Sequence, residues 1–171
     1  TVRWIQTAFA GKTYQNEFAD CRAALLRVLG EKPTKLWLWG FSLGGFTALA
    51  LAACEAVRAD KVIVCGSGLA PYPEVDAAVP TAPILSTLRE TIGEELLGKV
   101  KADRVFVFRG EYDEVFPRDE CLRLVECVGL PDERKIFRDT AGADHGFKKR
   151  FGKTDFGLMD ELLNIVEEYD A

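Results

Sequence analysis

A serine, an acid and a histidine occur in this chain in that order, each close to glycine: Ser42 in Gly40-Phe41-Ser42-Leu43-Gly44, Asp113 in Gly110-Glu111-Tyr112-Asp113, and His145 in Asp144-His145-Gly146. Together these types can do covalent chemistry that none does alone. A serine hydroxyl is a poor nucleophile at neutral pH and needs a base to take its proton as it attacks. Histidine, with an unperturbed pKa of about 6.5, can take that proton and hand it to a leaving group. A carboxylate behind a histidine fixes its tautomer and stabilises the imidazolium that forms. Each residue also has a plainer reading. A lone histidine is more often structural, and His145 is the one histidine in the chain. Asp113 lies in a loop between Gly110 and Pro117, where a turn aspartate is favoured. Asp144 is a rival acid, though neighbours on an extended loop usually point apart. Ser67, between Gly66 and Gly68, lacks a helix opening directly behind it and reads as a turn residue.

The elements that must position these residues begin with the stretch 36–45. A short apolar run passes through the glycine-flanked Ser42 into an alanine-rich segment, which reads as a buried strand, a sharp turn and a helix. A serine on such a turn has strained backbone angles, and the residues two before and two after it, Gly40 and Gly44, must be small. Gly45 would let the helix approach the strand. The helix N-terminus behind Ser42 favours developing negative charge.

The remaining elements alternate. Strands are expected over 2–9, 35–39, 61–65, 104–108 and 134–137, and helices over 17–29, 46–57, 85–100, 118–128 and 156–169. Residues 70–83 are proline-rich and show no clear period. Unbroken apolar strands alternating with helices predict an α/β fold: a mostly parallel sheet with helices on both faces. In such a sheet working residues gather beyond the carboxyl ends of the strands, where Ser42, Asp113 and His145 all fall.

Composition narrows the field. The 171 residues carry a net charge of −5, which argues against a nucleic-acid or anionic-membrane surface. No apolar run reaches membrane-spanning length and no secretory leader is visible, so a cytoplasmic protein is expected. The five cysteines (Cys21, Cys54, Cys65, Cys121 and Cys127) read as reduced core residues, and none has metal-ligand spacing. Lys148, Lys149, Arg150 and Lys153 read as a solvated basic patch.

Gly-Phe-Ser-Leu-Gly-Gly at 40–45, Gly-Glu-Tyr-Asp-Glu-Val-Phe-Pro at 110–117 and Ala-Asp-His-Gly-Phe at 143–147 resemble the α/β-hydrolase superfamily, from its fourth strand to its last helix. The resemblance implies Ser42 as nucleophile, Asp113 as acid, His145 as base and the Leu43 backbone N–H as one oxyanion donor. It implies hydrolysis of a small carboxylic ester or thioester through an acyl-enzyme, with no cofactor or metal. Residues 70–100 fall where this superfamily inserts a cap, here a short one. Two other readings stay open: a ligand-binding or scaffold protein of the same fold, and acyl transfer to an acceptor other than water.

Residues 1–171 read as one domain, yet the pattern leaves no sequence for the superfamily's third strand, whose loop supplies a second oxyanion donor. If the strand over 2–9 keeps its family position, a slot remains between it and the strand leading to Ser42. The expectation is that polypeptide outside this sequence fills the slot, either an N-terminal segment or a second chain. The alternative is direct pairing of 2–9 with 36–39, with the donor near Phe9 to Gly11.

Overall fold

The structure is a computed structural model and describes residues 13–54, 58–78, 87–88, 93–148 and 157–169. Helix α1 (Tyr14–Gly30) starts on a capping box in which Thr13 and Asn16 satisfy each other's backbone N–H. That cap puts the start three residues before the apolar periodicity does. Strand β1 (Trp37–Phe41), helix α2 (Leu43–Cys54) and strand β2 (Ala59–Cys65) follow. Then come two short helices, α3 (Pro73–Ala78) and α4 (Glu94–Leu97), and strand β3 (Ala102–Tyr112). Helix α5 (Arg118–Cys127), strand β4 (Lys135–Asp144) and helix α6 (Gly157–Glu168) complete the order.

The four described strands form one sheet in the order β1-β2-β3-β4, with every pair parallel. Alternate residues of the strands face opposite ways, as the strand repeat requires. Val62 and Val64 of β2 and Val105 and Val107 of β3 face a core built with α2, α4 and α5. Ile63, Cys65, Phe106 and Phe108 face a second core with Leu158, Leu162 and Val166 of α6. Both sides of β2 and β3 are therefore buried, which is why these strands read as unbroken apolar runs. On the first side Tyr14 is wholly buried, and its hydroxyl lies 3.1 Å from Thr47 Oγ1, tying α1 to α2. Burial pushes the Tyr14 phenol up to about 12.

Three differences from the sequence expectations have physical causes. Strands β3 and β4 both run well past their apolar segments, and β4 continues as far as Asp144. The two strands pair through Arg109 and Asp139, whose side chains also make an ion pair at 3.4 Å, so polar residues extend the ladder. The single helix expected over 85–100 is interrupted, since Gly93 is extended (φ −122°, ψ 175°) immediately before α4. Within 70–83, Pro73–Ala78 is a short helix.

The strand expected over 2–9 lies outside the described residues, and with it the filling of the slot beside β1. Among the described residues β1 pairs on one side only, with β2. A cavity of about 830 Å³ is lined by residues of α1, β1 and α2 and reaches from Leu36 to the Ser42 turn. No helix among the described residues is long and apolar enough to cross a membrane.

Candidate active site

Strand β1 ends at Phe41 and α2 begins at Leu43, so Ser42 alone makes the turn between them. Its φ is +49°, a left-handed value that costs a residue with a Cβ about 1–2 kcal/mol. Three hydrogen bonds hold it there. The Ser42 N–H donates to Cys65 O at 2.8 Å, and its carbonyl accepts from the Gly45 N–H at 2.9 Å and from Ser67 Oγ at 2.8 Å. Ser67 is wholly buried beneath the turn and ties β2 to the serine loop. A serine between two glycines straight after a strand was the visible signal for this role, but the sequence does not reveal which carbonyl lies over it.

The three glycines around Ser42 are not equivalent. A Cβ at Gly40 would stand 1.9 Å from Gly44 O, so that position cannot carry a side chain. One at Gly45 would stand 2.4 Å from Ser67 Oγ and 2.8 Å from Val64 Cγ1, the close helix-to-strand approach expected there. Among the described residues a Cβ at Gly44 meets nothing within 4 Å, so they do not supply the crowding expected there. Gly44→Ala should therefore fold normally and gain a few tenths of a kcal/mol from helix propensity, read as an unchanged or raised urea midpoint. A loss of more than about 2 kcal/mol would contradict this geometry.

Asp113 follows the end of β3, and His145 follows the end of β4. The pairing of these strands is irregular: Gly110 faces Thr140 while Tyr112 faces Asp144. This bulge on the β4 side carries the chain across, so that His145 comes back over Asp113. His145 Nδ1 lies 3.1 Å from both carboxylate oxygens of Asp113, and His145 Nε2 lies 3.3 Å from Ser42 Oγ. All three sequence candidates are thus brought together in one hydrogen-bonded row. The imidazole is flanked by the rings of Phe41 and Phe116, at centroid distances of 5.3 and 6.0 Å. Gly66 leaves it space, since a Cβ there would sit 3.2 Å from His145 Cε1. The rival Asp144 instead accepts from the Lys148 N–H at 2.9 Å and closes its own turn.

The Asp113 side chain is fully buried. Burial is the largest single influence on its carboxyl and pushes the pKa up. Hydrogen bonds from His145 and from the Phe116 and Val115 N–H groups, together with the His145 charge, outweigh it and hold the pKa below its ordinary value. A depressed carboxylate pKa stabilises the fold above the unfolded-state pKa, and that stabilisation is lost as pH falls through the folded-state value. Urea midpoints should accordingly fall below about pH 4 in the wild type. Part of that fall should be missing in Asp113→Asn; identical pH dependence in the two would show that Asp113 is not held as an anion.

Leu43 opens α2, so its N–H has no carbonyl one turn earlier to bond and stands beside the Ser42 turn. Among the described residues no group of three or more His, Cys, Asp or Glu side chains could hold a metal ion. None of the five cysteines is in a disulfide; Cys65 and Cys121 are buried, Cys21 and Cys127 half-buried, and Cys54 is exposed, so the core reading fits only some of them. Burial pushes the Cys65 and Cys121 thiols up to about 12. Lys148 is exposed, while Lys149, Arg150 and Lys153 lie outside the described residues.

Comparison with known proteins points one way. A family model described as the alpha/beta hydrolase family matches residues 7–156. No curated protein matches the sequence. Among solved structures, the esterase domain of a Rhodothermus marinus protein is similar at 21% identity and a TM-score of 0.58, over 75% of this chain and 60% of that one. An alpha-beta serine hydrolase homologue from Coxiella burnetii is similar at 19% identity and a TM-score of 0.60, over 100% of this chain and 63% of that one. A monoacylglycerol lipase from Paleococcus ferrophilus gives 17% identity and a TM-score of 0.65, over 94% and 76%. The chain thus spans less than two thirds of the first two structures, and at these identities the likeness is one of fold. A family match over most of the length, on a parallel sheet of this order, makes the chain a member of the alpha/beta hydrolase family.

Proposed function

We propose that the protein is a serine hydrolase that cleaves a carboxylic ester or thioester through an acyl-enzyme on Ser42. The observation that carries this reading is the unbroken row from Ser42 Oγ through His145 to Asp113, with separations of 3.3 and 3.1 Å. With Asp113 ionised, the imidazole donates its Nδ1–H to the carboxylate and presents an unprotonated Nε2 to the serine hydroxyl. Ser42 Oγ attacks the acyl carbon while Nε2 takes its proton, and the carbonyl electron pair moves onto oxygen. The charge formed there meets the Leu43 N–H and the positive end of α2. The tetrahedral intermediate expels an alcohol or thiol, which leaves with the proton held on Nε2. Water then enters by the same route, giving up its proton to Nε2. Ser42 departs with that proton and a carboxylic acid is released. The names of the similar structures, an esterase domain and a monoacylglycerol lipase, favour a carboxylic ester.

The experiment is labelling with a fluorophosphonate, which phosphonylates a serine only where a base removes its proton. Labelling at Ser42, lost in His145→Ala, supports the hydrolase. A folded, unlabelled protein that also fails to turn over activated esters would turn the reading toward the ligand-binding or scaffold alternative. Product transferred to an added alcohol or amine faster than to water would make it an acyltransferase.

A further inference from the structure

Arg109 is a buried cation with no part in the steps above, and the loop carrying Asp113 is wrapped around it. Its Nε donates to Phe116 O at 3.1 Å, its Nη1 to Glu111 O at 3.2 Å and its Nη2 to Asp113 O at 3.3 Å. Nη1 also reaches Asp139 Oδ1 at 3.4 Å, and Asp139 Oδ2 accepts from Arg118 Nε at 2.7 Å. One planar guanidinium thus gathers three carbonyls of a single short loop. The amides of that loop do the opposite: the Val115 and Phe116 N–H groups donate to Asp113 Oδ1 at 2.8 and 2.9 Å. The loop is therefore folded between two buried charges, its carbonyls on the cation and its amides on the acid. Two further carboxylates of the same loop reach across to the histidine segment. Glu111 Oε2 accepts from the Gly142 N–H at 2.8 Å, and Glu114 Oε2 accepts from the His145 N–H at 3.4 Å.

We propose that Arg109 is a positioning residue that holds the Asp113 carboxylate on His145 Nδ1 by fixing the carbonyls of residues 111, 113 and 116. A guanidinium sets donors on three nitrogens in one rigid plane and meets the three carbonyls each from a different nitrogen. A lysine ammonium has its three donors on one atom and reaches such spread acceptors less well, and an apolar side chain has none. Without the cation those carbonyls lose buried partners, the loop relaxes, and Asp113 leaves the imidazole although it is itself unchanged. The inference rests on the hydrolase reading for its catalytic consequence, but not for its geometric one.

The test uses the single histidine of this chain, whose carboxylate-bound Nδ1–H gives an assignable downfield proton resonance. Wild type should show it, Asp113→Asn should lose it, Arg109→Met should lose it to exchange, and Arg109→Lys should keep it in part. On an activated ester, Arg109→Met should lower kcat about 100-fold with KM unchanged, and Arg109→Lys should recover much of that loss. An Arg109→Met protein with the resonance intact overturns the proposal, as does one with kcat within about threefold of wild type. If Arg109→Met does not fold, Arg109→Gln is read in the same way. If none of the three variants folds, Arg109 is a stability residue and the proposal is overturned. A wild type that shows the resonance and hydrolyses nothing sinks the hydrolase reading alone, and Arg109 is then judged on the resonance.

Discussion

Ser42→Ala is expected to lower kcat on an activated short-chain ester by roughly a millionfold while leaving the protein folded. The hydroxyl makes one side-chain bond, to His145 Nε2 at 3.3 Å, and the three bonds that shape the turn all belong to the Ser42 backbone. Alanine keeps them and leaves φ at +49° no more and no less costly than serine does. Ser42→Gly should be equally inactive but more stable, by about 1 kcal/mol, because glycine adopts a left-handed φ freely. The strain at this residue is then the cost of aiming the hydroxyl at His145. Undiminished turnover by purified Ser42→Ala removes the nucleophile from the mechanism. Equal urea midpoints for the alanine and glycine variants would show that no strain is stored at the turn.

The Ser42 turn was legible because it is written locally: an apolar run, a glycine, a serine and a small-residue helix occupy consecutive positions. His145 was legible for a different reason, as the lone histidine soon after the last strand. The parts that were not legible are relations between distant residues. Arg109 and Asp139 interrupt the apolar runs of β3 and β4, and only their mutual pairing across the sheet shows why both strands continue past them. Ser67 looked like a turn residue because its partner, the Ser42 carbonyl, lies 25 positions away. The two glycines flanking the serine are not symmetric either: the Cβ direction at Gly40 points into the Gly44 carbonyl, whereas the Cβ direction at Gly44 meets none of the described residues within 4 Å. The capping box at Thr13 and Asn16 was in plain view and uses asparagine where the usual signature has Glu or Gln.

Asp113→Asn should lower kcat by about 10⁴ with only a small loss of stability, and the hydrogen bonds around the carboxylate explain why so slight a change does so much. Oδ1 of Asp113 accepts from the Val115 and Phe116 N–H groups at 2.8 and 2.9 Å, so an asparagine must keep its carbonyl oxygen there. Its NH₂ group then takes the place of Oδ2, facing His145 Nδ1 at about the same separation. Oδ1 is also 3.1 Å from Nδ1, but it already accepts from the two loop amides. The tautomer in which Nδ1 accepts from the asparagine NH₂ is therefore favoured over one that sets two donors face to face. The imidazole proton moves to Nε2, the atom that has to take the proton from Ser42, and the base is lost without any movement of the ring. The loop keeps its shape because both amide bonds to Oδ1 survive, and losing one charge-assisted bond costs about 1–2 kcal/mol. Asp144→Asn is the matched control. Asp144 accepts from the Lys148 N–H through Oδ1, an asparagine oxygen can do the same, and kcat should stay within a few-fold of wild type. The measurement is kcat for both variants at neutral pH, normalised to folded protein by circular dichroism. A large loss in Asp144→Asn with Asp113→Asn near wild type would move the acid to Asp144 and leave the buried Asp113 with only a structural role.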